Sequence, residues 1–152
     1  MKYYEKILQP DETVKIVATL HWLVYGRAVA LFLVAVVALV LSQLDASMEA
    51  PALWAALAFF VLGIFAFLRA WLIRVSTEIV VTDRRVIHKR GLVSRHTEEM
   101  NISKVETVDV DQGVGGRIFG YGTLIIRGTG GGWEPLRRIS SPLAVRNAIM
   151  VG

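Results

Sequence analysis

Two glycine clusters are the segments of this sequence most similar to a nucleotide-binding loop. The run at residues 128–132 is followed by Trp133, and the glycines at 113, 115 and 116 precede Arg117. A phosphate-binding loop needs a lysine and a hydroxyl residue after its last glycine, because backbone amides and the lysine ammonium group bind the phosphates jointly. Neither cluster supplies them. We therefore interpret these glycines as tight turns and as points where backbones approach closely.

Three histidines and one acidic string are the other candidates for chemistry. His88 and His96 lie on neighbouring predicted strands, but a zinc site needs a third ligand that nothing places there. We expect these two and His21 to be solvated or interfacial. Residues 109–113 match a calcium loop for three positions only, which favours acids at a strand end. The chain has no cysteine. We predict no catalytic site, metal, cofactor or small-molecule substrate, and a protein that is not an enzyme.

Basic residues are the stronger candidate for a binding surface. Five of them surround one predicted β-hairpin: Arg84, Arg85, Lys89, Arg90 and Arg95. They can contact anionic headgroups or a partner, at about 1 kcal/mol each near a charged leaflet. The alternative is that they only set topology and solubility, or pair with Glu98 and Glu99 across the strands. Nucleic acid is not a predicted partner, because the strands lack aromatic residues interleaved with Lys and Arg.

Two long apolar runs lie in the first half of the chain. Residues 28–44 and 50–68 carry no charge, and 54% of all residues are hydrophobic. At about 1.5 Å per residue the runs form helices of roughly 26 and 28 Å, close to the ~30 Å of the hydrocarbon layer. Because only a short polar link at 45–49 separates them, we expect a transmembrane hairpin. A buried hairpin in a soluble protein is disfavoured, since it needs a larger core than this chain can build.

Aromatic and basic residues flank both runs, as expected at membrane interfaces, where indole rings settle and arginine extends its charge towards water. The predicted interface residues are Trp22, Tyr25, Arg27, Trp54, Arg69 and Trp71. The link carries no basic residue. Basic residues precede the first apolar run and follow the second, among them Arg27 and Arg69. The positive-inside bias therefore predicts that both termini are cytoplasmic.

The remaining sequence alternates short β segments with turns. Residues 13–22 alternate apolar and polar side chains, which predicts a half-buried strand. Further strands are predicted at 78–81, 85–90, 92–102, 105–110, 123–127 and 133–139, with a helical turn at 118–119. Ser141-Pro142 predicts the start of a last helix. Consecutive strands followed by one helix predict an α+β domain. We expect three segments: a pre-membrane strand at 1–23, the hairpin at 24–73 and the β domain at 74–152.

Several strings resemble the bacterial pleckstrin-homology (PH) domain family. In chain order they are residues 82–87 (TDRRVI), 90–95 (RGLVSR), 101–105 (NISKV), 116–123 (GRIFGYGT) and 141–142 (SP). Residues 9–22 are similar to the strand that precedes a membrane hairpin in many members. Asn101, where the family commonly has proline, and the glycine-rich loop are departures. The resemblance implies a small member with two transmembrane helices and a PH-like barrel or sandwich of about seven strands, capped by the C-terminal helix.

The residues and the resemblance together predict a non-enzymatic interaction module anchored in a bacterial plasma (inner) membrane. The expected partners are membrane lipids, anionic ones included, a protein partner, or further copies of the chain. The alternative is an accessory subunit of a larger membrane complex, such as a transporter or a respiratory enzyme, with the hairpin packed along its core.

Overall fold

A computed structural model of the chain describes residues 8–44, 49–91 and 96–151. They form two compact units. One unit, the β domain, is made of the residues up to His21 and from Val75 onward, and the other, the helix pair, is Trp22–Arg74. The chain therefore leaves the β domain after the first strand and re-enters it after the two helices.

The helix pair consists of α1 (Gly26–Leu44), which follows a 3₁₀ turn at Trp22–Tyr25, and α2 (Glu49–Ser76). Both are long and apolar enough to cross a membrane, judged by length and composition. α2 continues well beyond the predicted apolar run because residues 69–76 contain neither glycine nor proline to end it. Four residues of the predicted link, 45–48, lie outside the described residues.

Small residues seven positions apart are the buried positions of both helices. They are Ala28, Ala35 and Ser42 on α1, and Ala56, Gly63 and Ala70 on α2, all buried. A Cβ at Gly63 would lie 2.7 Å from the ring of Phe32, so glycine lets this ring pack directly on the α2 backbone. Close helix packing through small side chains is typical of membrane helices. A repeat of seven keeps the same stripe at the contact along both helices.

The β domain contains two antiparallel four-stranded sheets. The first has the order β1 (Val14–Thr19), β2 (Glu78–Thr82), β3 (Arg85–Arg90) and β4 (His96–Asn101). In the second, β6 (Tyr121–Gly128) pairs with β5 (Val105–Asp111), β7 (Gly131–Gly132) and β8 (Leu136–Ser140). The sheets meet where Leu20 pairs with Ile139, and the His21 N–H donates to the Arg138 carbonyl at 2.7 Å.

Two short helices complete the β domain, α3 (Val114–Phe119) and α4 (Pro142–Met150). α4 packs against strands of both sheets, namely β1, β2, β5 and β6. Its Val145 and Ile149 are buried, together with Val81 and Val86 of the first sheet and Ile126 of the second. The predicted α+β fold, a PH-like sandwich with a C-terminal helix, is confirmed. The strand predicted at 92–102 is described only from His96, since residues 92–95 lie outside the described ranges.

Candidate functional site

Arg85, one of the predicted contact residues, forms an ion pair inside the fold. Its Nε and Nη2 donate to the two carboxylate oxygens of Glu12 at 2.9 and 2.8 Å. Its Nη1 donates to Glu99 at 2.8 Å, which is the cross-strand pairing that the sequence left open as an alternative. The Arg85 side chain is 14% exposed and that of Glu12 is 0% exposed. Arg85 therefore ties the segment before β1 to strands β3 and β4.

The carboxylate of Glu12 is saturated with hydrogen bonds. Besides Arg85, it accepts from the Thr82 hydroxyl at 2.8 Å and from the Gln9 N–H at 2.9 Å. The hydrogen bonds from Arg85 are the main reason that the pKa of Glu12 is lowered from 4.5 to about 2, against the opposing effect of burial. Removing Arg85 would leave the buried Glu12 carboxylate without its charge partner, which is strongly destabilising.

An open cleft of about 660 Å³ lies beside this ion pair, at one end of the first sheet. Its lining residues are Gln9, Asp83, Arg84, Arg85, Glu99, Asn101, Ile102 and Ser103. Arg84 is exposed, and Asp83 accepts a hydrogen bond from the Thr13 N–H at 3.0 Å. Two arginines face two carboxylates here, so the lining has no excess of positive charge. The cleft offers donors and acceptors of hydrogen bonds, but little net attraction for an anion.

The other predicted basic residues have different surroundings. Lys89 shares a face of β3 with Arg85, whereas Arg90 lies on the opposite face because side chains alternate along a strand. Arg90 pairs with Glu134 at 3.3 Å, and both side chains are largely exposed. Such a surface pair contributes little to stability. Arg95 lies outside the described residues.

Both His21 and His88 are buried, so the expectation of solvated or interfacial rings is wrong for these two. His88 lies opposite Glu98 in the pairing of β3 with β4. Its Nδ1 lies 3.5 Å from one oxygen of Glu98, whose other oxygen is 3.3 Å from Nε2 of exposed His96. The indole of Trp133 packs 5.9 Å from the His88 ring. Burial lowers the pKa of His88, with Glu98 acting in the opposite direction. No group of three or more metal-binding side chains occurs within residues 8–44, 49–91 and 96–151.

The structure confirms the interpretation of the glycines as turns and close approaches. Gly131 has φ of +130°, and a Cβ at Gly116 would lie 2.6 Å from the carbonyl oxygen of Tyr121. A Cβ at Gly128 would lie 2.5 Å from the carbonyl oxygen of Lys104. The acidic string likewise belongs to a strand end, where exposed Asp109 pairs with Arg127 at 3.5 Å.

The predicted membrane-interface residues lie near the ends of the helix pair. Tyr25 stacks on Phe67 with ring centroids 5.2 Å apart, and the Arg74 guanidinium lies 5.7 Å from the Tyr25 ring. This contact fixes an antiparallel alignment that brings the start of α1 beside the last turns of α2. Trp22, Tyr25, Arg27, Arg69 and Trp71 therefore share one end, and Trp54 belongs to the other.

The exposed apolar side chains of α3 were not predicted from the sequence, where only a helical turn at 118–119 was expected. Val114 is 78% exposed, Ile118 72% and Phe119 53%. Leu143 is 52% exposed, and the Ser141 N–H two residues before it donates to the Gly120 carbonyl at the end of α3, at 2.9 Å. We call these four residues the α3 patch. Contiguous apolar patches on a domain surface are commonly sites of protein or membrane contact, and four such side chains are candidates for one.

The comparisons with known proteins identify the family. The sequence profile of the bacterial PH domain matches residues 16–150, from β1 to the end of α4, and so includes the helix pair. No curated protein and no solved structure gives a significant match. The β1–β8 sandwich and its C-terminal helix agree with this profile. The chain belongs to the bacterial PH domain family.

Proposed function

We propose that this protein is a membrane-anchored interaction module in which the helix pair spans a bacterial plasma membrane. The observation that carries the proposal is the outward surface of the helices. In the most apolar stretch of 18 residues of each helix, only 11% is buried, whereas the core helix of a soluble protein is mostly buried. Leu33 and Phe65, for example, are 62% and 69% exposed. Water contact with such surface costs about 25 cal/mol per Å², so lipid is the environment that fits it.

The charge distribution supports an orientation with both termini in the cytoplasm. Arg27, Arg69 and Arg74 lie at the end of the helix pair that is continuous with the β domain, and Glu49 lies at the other end. Basic residues favour the cytoplasmic side. The segment at 1–23 then lies on the same side as 74–152, which agrees with the pairing of β1 to β2 in one sheet.

Binding to a partner is the proposed role of the β domain, since PH domains generally serve as non-catalytic interaction modules. The α3 patch offers an apolar contact for a protein partner or a second copy. Arg84 offers a weaker contact to an anionic surface, because the carboxylates of Asp83 and Glu99 line the same cleft. Lys89 is half-buried and lies opposite Glu78 of β2, which reduces its attraction for an anion as well. No substrate, metal or cofactor is part of this proposal.

Cysteine labelling in intact cells tests the anchoring, because the chain has no cysteine of its own. Two single variants, Glu49→Cys at the start of α2 and Ser103→Cys in the β domain, are exposed positions in different units. We expect an impermeant maleimide to label the first in intact spheroplasts and the second only after permeabilisation, with both chains resistant to alkaline carbonate extraction. Release by carbonate, or labelling of Ser103→Cys from outside, would contradict the proposal.

An accessory subunit of a larger membrane complex is the second candidate. The same exposed side chains of the helix pair favour it, because neighbouring membrane helices can cover them as well as lipid does. Extraction in a mild detergent separates the two functions. A membrane partner that co-purifies at a fixed stoichiometry supports the accessory role, whereas a chain that purifies alone or with copies of itself supports the module.

A further inference from the structure

Two arginines project from the same side of the helix pair. Ala28 and Ala70 are buried at the helix contact, and Arg27 and Arg69 each precede one of them by one residue. Successive residues are about 100° apart around a helix. Two antiparallel helices are related by a two-fold axis perpendicular to both. Residues that directly precede a buried residue on either helix therefore lie on the same side of the pair. Arg27 and Arg69 therefore lie on the same side of the helix pair, at the same end.

The opposite side of the helix pair is filled by aromatic rings. Tyr25 lies three residues before Ala28, and Phe67 lies three residues before Ala70. Their rings stack with centroids 5.2 Å apart. The third arginine of this end, Arg74, lies over the Tyr25 ring on that side. The two sides therefore differ in chemistry: aromatic rings with one engaged arginine on one, and two arginines on the other.

No described acidic residue neutralises Arg27 or Arg69. Both are exposed, and neither forms an ion pair within the described residues. The acidic residues between Trp22 and Arg74 are Asp45 and Glu49, which belong to the link at the far end. Two guanidinium groups on one side, with no counter-charge among the described residues of the helix pair, attract an anion.

We propose that Arg27 and Arg69 together bind the phosphate of an anionic phospholipid headgroup; this inference rests on the proposed function, in which the helices span the membrane. The planar guanidinium fork matches two phosphate oxygens, and two forks can hold one phosphodiester. Val34 and Leu62 precede the buried Ala35 and Gly63 by one residue, and they are 44% and 52% exposed. They extend the same side with apolar surface on which an acyl chain can lie. A zwitterionic lipid is disfavoured because its cationic headgroup meets the same arginines.

Lipid retention by the full-length protein tests this site. The purified chain is loaded with equal amounts of phosphatidylglycerol and phosphatidylcholine of the same acyl chains, and native mass spectrometry counts the lipids retained. We expect Arg27→Gln and Arg69→Gln each to reduce the preference for phosphatidylglycerol about tenfold, the loss for a charge-assisted contact. The double variant should lose little more, since both side chains hold one phosphate. Arg74→Gln, the matched control, should change the preference less than about twofold.

The remaining outcomes each overturn part of the reasoning. Equal losses in all three variants indicate a general attraction at a basic end, and unchanged preference indicates no contact at all; either result refutes the site. If millimolar inorganic phosphate displaces the lipid, the site binds a free phosphate ion and the proposed lipid ligand is refuted. If glutamine variants lose helix content, Arg27→Lys and Arg69→Lys take their place, and loss of the fork should still weaken the preference. Release of the wild-type chain from membranes by carbonate refutes the proposed function, whereas a carbonate-resistant chain without selectivity refutes the site only.

Discussion

Replacing Glu12 by glutamine should remove the ion pair that holds the first segment of the β domain to its central strands. The substitution keeps the size of the side chain and removes its charge. Four hydrogen bonds reach this carboxylate, two of them from Arg85. Arg85 keeps its contact to Glu99, so its guanidinium is not left without any carboxylate.

The lowered pKa of Glu12 sets the magnitude of the effect. The pKa falls from 4.5 to about 2, and one unit corresponds to about 1.4 kcal/mol. The charged carboxylate therefore stabilises the folded domain by about 3 kcal/mol at neutral pH. Because the folded-state pKa is the lower one, this stabilisation is complete above pH 4.5 and is lost as the pH falls towards 2. Glu12→Gln should be less stable by that amount at pH 7, and the difference should vanish in acid.

Urea unfolding of the full-length protein in detergent measures this difference. Trp133 reports on the β domain when Trp22, Trp54 and Trp71 are replaced by phenylalanine. Glu106→Gln is the matched control, since Glu106 is an exposed carboxylate on β5 and its replacement should change the free energy of unfolding by less than about 0.5 kcal/mol. A Glu12→Gln variant within about 1 kcal/mol of wild type at pH 7, or a difference that persists unchanged in acid, would refute the reasoning.

Three further perturbations test other parts of the structure. Gly63→Val should lower the melting temperature of the helix pair in far-ultraviolet circular dichroism, because a ring packs on this backbone, while Ala58→Val on the exposed side should not. Gly128→Ala should cost about 1–3 kcal/mol in urea unfolding, since its Cβ meets a backbone carbonyl. Gly130→Ala, with open space around it, should be neutral. Burial lowers the pKa of His88, so wild-type stability should fall as the pH drops below about 6.5, and His88→Phe should remove this dependence in thermal melts.

The order of the elements could be predicted from hydrophobic pattern and turn residues because both are local properties of the chain. Strand β3 was predicted with the bounds Arg85–Arg90 that the structure has. The uncharged run ends before Arg69 and the hairpin was predicted to end at residue 73, whereas α2 continues to Ser76. Arginine is a good helix former, so a charge ends an apolar run without ending a helix. The small residues seven apart were readable in the sequence, but their burial depends on which helix faces which.

The contacts of the basic residues could not be predicted, because they join distant parts of the chain. Glu12 and Arg85 are 73 residues apart, with both long helices between them. Their pairing depends on the register of β1 against β2, and nothing in the local composition reports that register. The burial of His88 could not be predicted from alternation either. Val86 and Ile87 lie on opposite faces of β3 and both are buried, so the sequence of this strand does not show which face is the core face.

The distribution of acidic residues decides which arginines can serve a membrane. Arg85 meets Glu12 and Glu99, so much of its attraction for a phosphate is already satisfied within the fold. Exposed Arg84 has Asp83 and Glu99 in the same cleft. At the basic end of the helix pair, in contrast, the nearest acids in that unit belong to the far end. Because neighbouring carboxylates reduce the attraction of an arginine for an anionic headgroup, Arg27→Gln should reduce the retention of phosphatidylglycerol by the purified chain more than Arg84→Gln does. The reverse order would return the lipid contact to the β-hairpin.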